Sequence, residues 1–94
     1  MKFEWNPKKA AANLSKHGVA FEEALTVFAD PLARIFDDED HSSEEHREII
    51  IGHSANHRLP LLVCFAAQQG STRIFSARKA TKQERKDYEE NIQP

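Results

Sequence analysis

The sequence of 94 residues is poor in several residue types, and each shortage excludes something. Its single cysteine, Cys64, cannot form an intramolecular disulfide, which fits a reducing compartment; inside the apolar run LLVCFAA it reads as packing. No apolar run approaches the ~18 residues of a transmembrane helix, and MKFEWNPKK lacks the apolar stretch of a signal peptide, so a cytoplasmic protein without membrane contact is expected. There is no Gly-rich phosphate loop, no Ser-His-Asp arrangement and no HExxH helix. Two histidine pairs, His41-x4-His46 and His53-x3-His57, have the spacing of helical metal ligands, yet they fall in loop or strand and no cysteine cluster joins them. No metal and no cofactor are expected. The chain also lacks repeats, low-complexity tracts and linkers, and its length implies one domain over residues 1–94.

What is present is charge, segregated by sign. The net charge is −2, but Asp37, Asp38, Glu39, Asp40, Glu44 and Glu45 put six acids into nine positions. Between Arg73 and Lys86, by contrast, six cations (Arg73, Arg78, Lys79, Lys82, Arg85, Lys86) face only Glu84. The basic segment is a phosphate-seeking surface; the acidic one is either its counterpart in a local field or a solvated loop.

Periodicity places the elements. FEW at residues 3–5 reads as an edge strand, stopped by Asn6-Pro7, with Pro7 suited to the first turn of a helix. The helix Pro7–His17 sets Ala10, Leu14 and His17 on one face, beside Lys9, Asn13 and Lys16, and Gly18 supplies a left-handed cap. A second helix, about Phe21–Ala29, carries the stripe Phe21, Ala24, Leu25 and Phe28 and ends at Asp30-Pro31. A short strand near Ala33–Phe36 and two strands apolar on both faces, Arg47–His53 and Leu59–Ala66, follow. SANHR and QQGS make hairpins leading to a strand Thr72–Ala77, with Arg73, Phe75 and Ala77 on one face and Thr72, Ile74 and Ser76 on the other. With the tightest turns, Arg47, Phe65 and Arg73 share a cross-strand row, and Arg78 lies level with Pro60 and Gly52. Thr81 and Glu84 form a capping box for a last helix whose apolar stripe is Tyr88 and Ile92. The fold class is α+β: a twisted antiparallel sheet of four to five strands, two N-terminal helices on one face and a C-terminal helix at the side.

These residues suit RNA cleavage without a metal. That chemistry needs a base for the 2′-OH proton, cations to hold the phosphate as charge builds, and a proton donor for the leaving 5′-oxygen. Arg47, Arg73 and Arg78 are candidates for the clamp, because a guanidinium binds phosphate bidentately and stays charged, although each alone also reads as a surface arginine. His17 serves either as acid or base or as a helix-ending residue. Glu45 is a base or a solvated acid, Tyr88 a proton donor, a stacking ring or a packing residue, and Trp5 core, rim or a stacking platform.

FEWNPKKAAANLSKHGVAFEEA (3–24), the stretch from Asp38 to Arg47 with Ile51-Gly52, and RIFSARKATKQERKDYE (73–89) together resemble the BrnT family of type II toxins over nearly the whole chain. The resemblance implies a RelE-like ribonuclease toxin that cleaves RNA without a metal and slows translation. It also implies a BrnA-type ribbon-helix-helix antitoxin partner, through which alone the complex meets operator DNA. By position the matching residues are Lys16, His17, Arg47, Arg78 and Tyr88, with Arg73 beside them. Lys16, Lys79, Lys82 and Arg85 are then expected to bind the RNA backbone. Three positions depart from the family pattern: Asn6 in place of an aspartate, Ala20 in place of a small polar cap, and His46 before Arg47. The competing expectation is a module without catalysis that binds antitoxin or RNA and acts in repression of its own operon.

Overall fold

The computed structural model describes residues 2–38, 46–56 and 58–91. The elements follow in the order β1 (Phe3–Glu4), α1 (Pro7–His17), α2 (Phe21–Ala24) running into a 3₁₀ turn (Leu25–Ala29), β2 (Arg34–Asp37), β3 (Glu48–His53), β4 (Pro60–Gln68), β5 (Ser71–Lys79) and α3 (Lys82–Asn91). The five strands form one open sheet in the order β1-β5-β4-β3-β2. This is the expected α+β architecture with one change: β1 runs parallel to β5, so the sheet is mixed. No hairpin links β1 to its neighbour, so nothing local fixes an antiparallel pairing. Glu45, His41, His57 and Ile92, weighed above, lie outside the described residues.

α1 starts where Asn6 accepts hydrogen bonds from the N–H groups of Lys8 and Lys9, and it ends at Gly18 (φ 71°), whose N–H bonds to the Leu14 carbonyl. Its inward face is turned from the expected one. Asn13 is buried, whereas Leu14 is 51% exposed. The reason lies on β5. β1 covers that strand only at Thr72 and Arg73, leaving the edge N–H and C=O of Ala77 in need of partners. The Asn13 amide supplies both: Nδ2 donates to the Ala77 carbonyl at 2.8 Å, and Oδ1 accepts from the Ala77 N–H at 3.1 Å. Nδ2 also donates to the Val19 carbonyl at 2.9 Å, which fixes the turn after the helix.

The second helix tightens after one turn. Passing into 3₁₀ geometry puts Val27, three residues after Ala24, into the core with Phe21, while Leu25 and Phe28 become half-buried. The core lies between these helices and one face of the sheet, through Ile50, Leu61, Val63, Phe65, Ile74 and Ala77. Phe28 meets Phe65 edge-on at 4.9 Å, and Trp5 meets Phe21 edge-on at 5.8 Å, so Trp5 packs at the core margin.

β5 contains a bulge that the alternation did not foresee. Cys64 pairs with Ser76 and Phe65 with Ile74, leaving Phe75 as the extra residue. Ala77 therefore turns to the core with Thr72 and Ile74, rather than sharing a face with Arg73 and Phe75. The expected rows shift too. Phe65 pairs with Glu48 and Ile74, not with Arg47 and Arg73, and Arg78 pairs with Leu62, which faces Ile51, not with Pro60.

Asp30 ties the other end of the sheet. Its carboxylate accepts from the N–H of Leu32 and of His53, each at 2.9 Å, and from the Tyr88 hydroxyl at 2.8 Å. A Cβ on Gly52 would lie 2.9 Å from that carboxylate, so the strand needs glycine for Asp30 to come this close.

Asn13→Ala would strand the buried Ala77 groups, and a loss of ~2–3 kcal/mol in urea denaturation is expected from leaving them unpaired. A loss below ~0.5 kcal/mol would show that the Asn13 contact does not hold α1 to β5.

Candidate functional site

The sheet face opposite the core, where Ile51, Leu62 and Cys64 are buried, carries a trough of three adjacent hollows walled by α1 at one end and α3 at the other. The central one, about 460 Å³, has Ile49 and Leu62 in its floor and Lys9, Asp38, Arg47, Cys64, Phe75, Ser76 and Arg78 around it. Toward the end of α1 it shares Lys9, Phe75 and Ser76 with a hollow lined by Ala12, Asn13, Lys16 and His17. Toward α3 it shares Leu62 with a hollow lined by Arg34, Phe36, Ile51, Glu84, Asp87 and Tyr88.

The bulge residue builds the cationic part. The Arg47 guanidinium carbon lies 3.9 Å from the Phe75 ring centroid, and Lys9 Nζ lies 5.7 Å from it, so one ring steadies two cations. The bulge also places Arg73 and Arg78, five positions apart, on the same face, where a regular strand would separate them.

Arg78, near the end of β5, is held by its own strand and by α3. Its two terminal nitrogens donate to the two Glu84 oxygens at 2.8 and 2.9 Å, and Nη1 also reaches the Lys79 carbonyl at 3.2 Å. Glu84 closes the capping box as well, accepting from the Thr81 N–H at 2.8 Å while Thr81 Oγ1 accepts from the Glu84 N–H at 3.1 Å. The Arg78 hydrogen bond, aided by the Thr81 contacts and its positive neighbour, outweighs burial and holds the Glu84 carboxyl down at about 2.

The other groups differ in their availability. Tyr88 is buried, and burial together with the bond to Asp30 pushes its hydroxyl up to about 12. Burial of Asp30 opposes ionisation, but the donated hydrogen bonds of His53, Leu32 and Tyr88 prevail and keep its carboxyl below the usual range. Cys64 is buried, as expected; burial and then its 3.2 Å contact to Asp38 push the thiol up to about 12, so it is a protonated wall residue rather than a nucleophile. Arg73 faces Glu4 at 3.9 Å, outside the three hollows. Lys79, Lys82 and Arg85 are exposed beyond the trough, and Arg85 donates to Glu89 at 2.9 Å.

The structure thus brings Arg47 and Arg78 into one hollow and His17 and Lys16 into the next, with Tyr88 at the far end. Lys9, Phe75 and Glu84 are the parts that sequence reading left out. Lys9 was legible as a neighbour of Lys16 on α1; the roles of Phe75 and Glu84 depend on the bulge and on the return of α3. One group of metal-capable donors occurs among the described residues: Asp37, His46 and Glu48, whose donor atoms lie within 4.8 Å of one another. Asp37 and Glu48 belong to the row of the core residue Phe65, on the sheet face opposite Arg78.

A family profile described as the ribonuclease toxin BrnT of type II toxin–antitoxin systems matches residues 5–84. The chain belongs to the BrnT toxin family. The match takes in Lys9, Lys16, His17, Arg47, Phe75, Arg78 and Glu84 and stops before Tyr88. No curated protein matches the chain. Among the described residues, no helix is long and apolar enough to cross a membrane.

Glu84 makes stability sensitive to acid. Its folded value of about 2 lies below its ordinary 4.5, so its contribution is full above pH ~4.5 and disappears as pH falls toward ~2. The pair is about a third exposed, which limits its worth to ~1 kcal/mol. Glu84→Gln keeps the cap geometry and should flatten that part of a pH series of urea melts; an unchanged slope between pH ~4.5 and ~2 would contradict the pairing.

Proposed function

We propose that this BrnT chain is a metal-independent endoribonuclease that inhibits translation in the cytoplasm, with the scissile phosphate held in the central hollow. The observation that carries this reading is the convergence of Arg47, Arg78 and Lys9 on one concave patch of the sheet face opposite the core. Three cations there supply the charge stabilisation that phosphoryl transfer needs. Glu84 leaves Arg78 charged and fixed in direction, so little reorganisation is needed as negative charge grows on the phosphate oxygens.

In this reading the ribose 2′-oxygen attacks phosphorus as its proton leaves, and the bond to the 5′-oxygen breaks as that oxygen takes a proton. A 2′,3′-cyclic phosphate and a 5′-hydroxyl result. His17, on the wall of the adjoining hollow, is proposed to transfer one of these protons, and Lys16 beside it to hold the backbone. Tyr88 is proposed to close the opposite end of the trough with its ring, its hydroxyl being held by Asp30. Arg73, Lys79, Lys82 and Arg85 extend the positive surface beyond the cut. The partner is a BrnA-like ribbon-helix-helix antitoxin that covers this trough, and operator DNA is met only through it.

A second reading is binding without cleavage, favoured by one observation: both terminal nitrogens of Arg78 are already committed to Glu84. Antitoxin-free protein incubated with RNA separates the two. Cleavage is expected to persist in EDTA and to leave 2′,3′-cyclic or 3′-phosphate ends; 3′-hydroxyl ends, or activity lost to EDTA and restored by a divalent ion, would end the metal-independent mechanism. Arg78→Ala or Arg47→Ala should slow cutting ~100–1000-fold, as for removal of a transition-state donor. Arg78→Ala should cost only ~1 kcal/mol of stability, the scale of a partly exposed ion pair. Thr81→Ala, which loses a helix cap worth ~1 kcal/mol, should melt lower and keep most activity.

A further inference from the structure

The hollow beneath α3 has a different character from its neighbour. It measures about 270 Å³ and borders the central hollow at Leu62. Ile51 and Leu62 supply an apolar floor, and Phe36 lines it while remaining 48% exposed. Phe36 stands on an edge strand outside the core cluster, so part of its ring is open at the hollow. The Arg78–Glu84 pair stands between the two hollows, with Arg78 lining the central one and Glu84 lining this one. Formal charge differs accordingly: Lys9, Arg47 and Arg78 against Asp38 in the first, Arg34 against Glu84 and Asp87 in the second. A phosphate is drawn to the first and disfavoured in the second. An uncharged planar ring, apolar on its faces and polar at its edge, suits an apolar floor, an aromatic side chain and a polar rim.

We infer that this hollow is a nucleobase subsite, in which a base flanking the held phosphate stacks on Phe36. The inference rests on the reading of the central hollow as a phosphate site. It assigns the two hollows to the two parts of one nucleotide and makes Phe36, rather than a cation, the residue that responds to the base.

The test uses short single-stranded 2′-fluoro oligoribonucleotides, which lack the attacking hydroxyl, with an abasic residue placed at each position in turn. Binding to wild type, Phe36→Ala and Phe36→Trp is read by fluorescence anisotropy. Wild type should lose roughly 5–150-fold in affinity at one abasic position, the range found for loss of one base–aromatic stack. Phe36→Ala should show a comparable loss with the intact oligomer and no further loss at that position, whereas Phe36→Trp should bind as wild type. Because Phe36 is half exposed, Phe36→Ala should keep its melting temperature within the range of surface substitutions, which a thermal melt checks. Undiminished abasic losses in Phe36→Ala, or wild-type affinity of that variant, would overturn the subsite. Normal RNA binding by Phe36→Ala with weakened antitoxin binding would overturn it too, by assigning the hollow to a protein side chain. If the oligomers bind with the expected dependence on Phe36 while unmodified RNA stays uncut, the catalytic reading fails and the subsite stands. If unmodified RNA is cut equally well by wild type and Phe36→Ala, the subsite falls and the catalytic reading stands.

Discussion

The side-chain amide of Asn13 lies against the edge of β5 and pairs with both backbone groups of Ala77, in the place where a further strand would run. This contact holds α1 to the sheet just beyond the bulge at Phe75. From it follows the seating of Lys9, Lys16 and His17 along one side of the trough. The bulge then brings Arg73 and Arg78 to a common face and pushes Phe75 out to meet Arg47 and Lys9. A single buried amide and a single extra residue thus decide which cations face one another. Bulges re-aim side chains at the cost of one unpaired residue, and here the re-aimed side chains are those proposed to meet phosphate.

The opposite end of the sheet depends on Asp30 in a similar way. That carboxylate joins the 3₁₀ turn, β3 and α3, and it does so against a strand that must carry glycine at residue 52. α3 has only Tyr88 buried among its described side chains, its ring 5.4 Å from that of His53 and its hydroxyl on Asp30, and the Arg78–Glu84 pair is a second attachment. The helix that fixes Arg78 therefore docks through few side chains, with polar contacts at both ends. Such polar attachments are sensitive to acid and to solvent competition, whereas the contacts of Phe21, Ala24 and Val27 with the sheet are apolar.

The family match and the trough support each other at different levels. The match covers residues 5–84 and says what kind of toxin this is; it does not say which side chains act. The trough names a cationic hollow, an imidazole on one side and a less basic, aromatic-walled hollow on the other. RNA is a polymer of charged and uncharged parts, and the two hollows differ in formal charge in the same sense.

The sequence by itself determined the class of fold, the helix ends and the identity of the basic segment, because these follow from neighbours a few residues apart. Asn6-Pro7, Gly18 and the Thr81–Glu84 box act within one turn, and hydrophobic periodicity acts within one element. It also carried the family resemblance, since SARKAT and its flanks are local strings. Tertiary structure alone decided the direction of β1, the burial of Asn13 in place of Leu14, the bulge at Phe75 and the partners of Asp30. The partners of Asn13 and of Asp30 came from far along the chain. Ala77 needed a partner from residue 13, and Tyr88 found its own at residue 30. Such pairings leave no periodic trace in the sequence, because the residues that satisfy them are close only after the chain has folded.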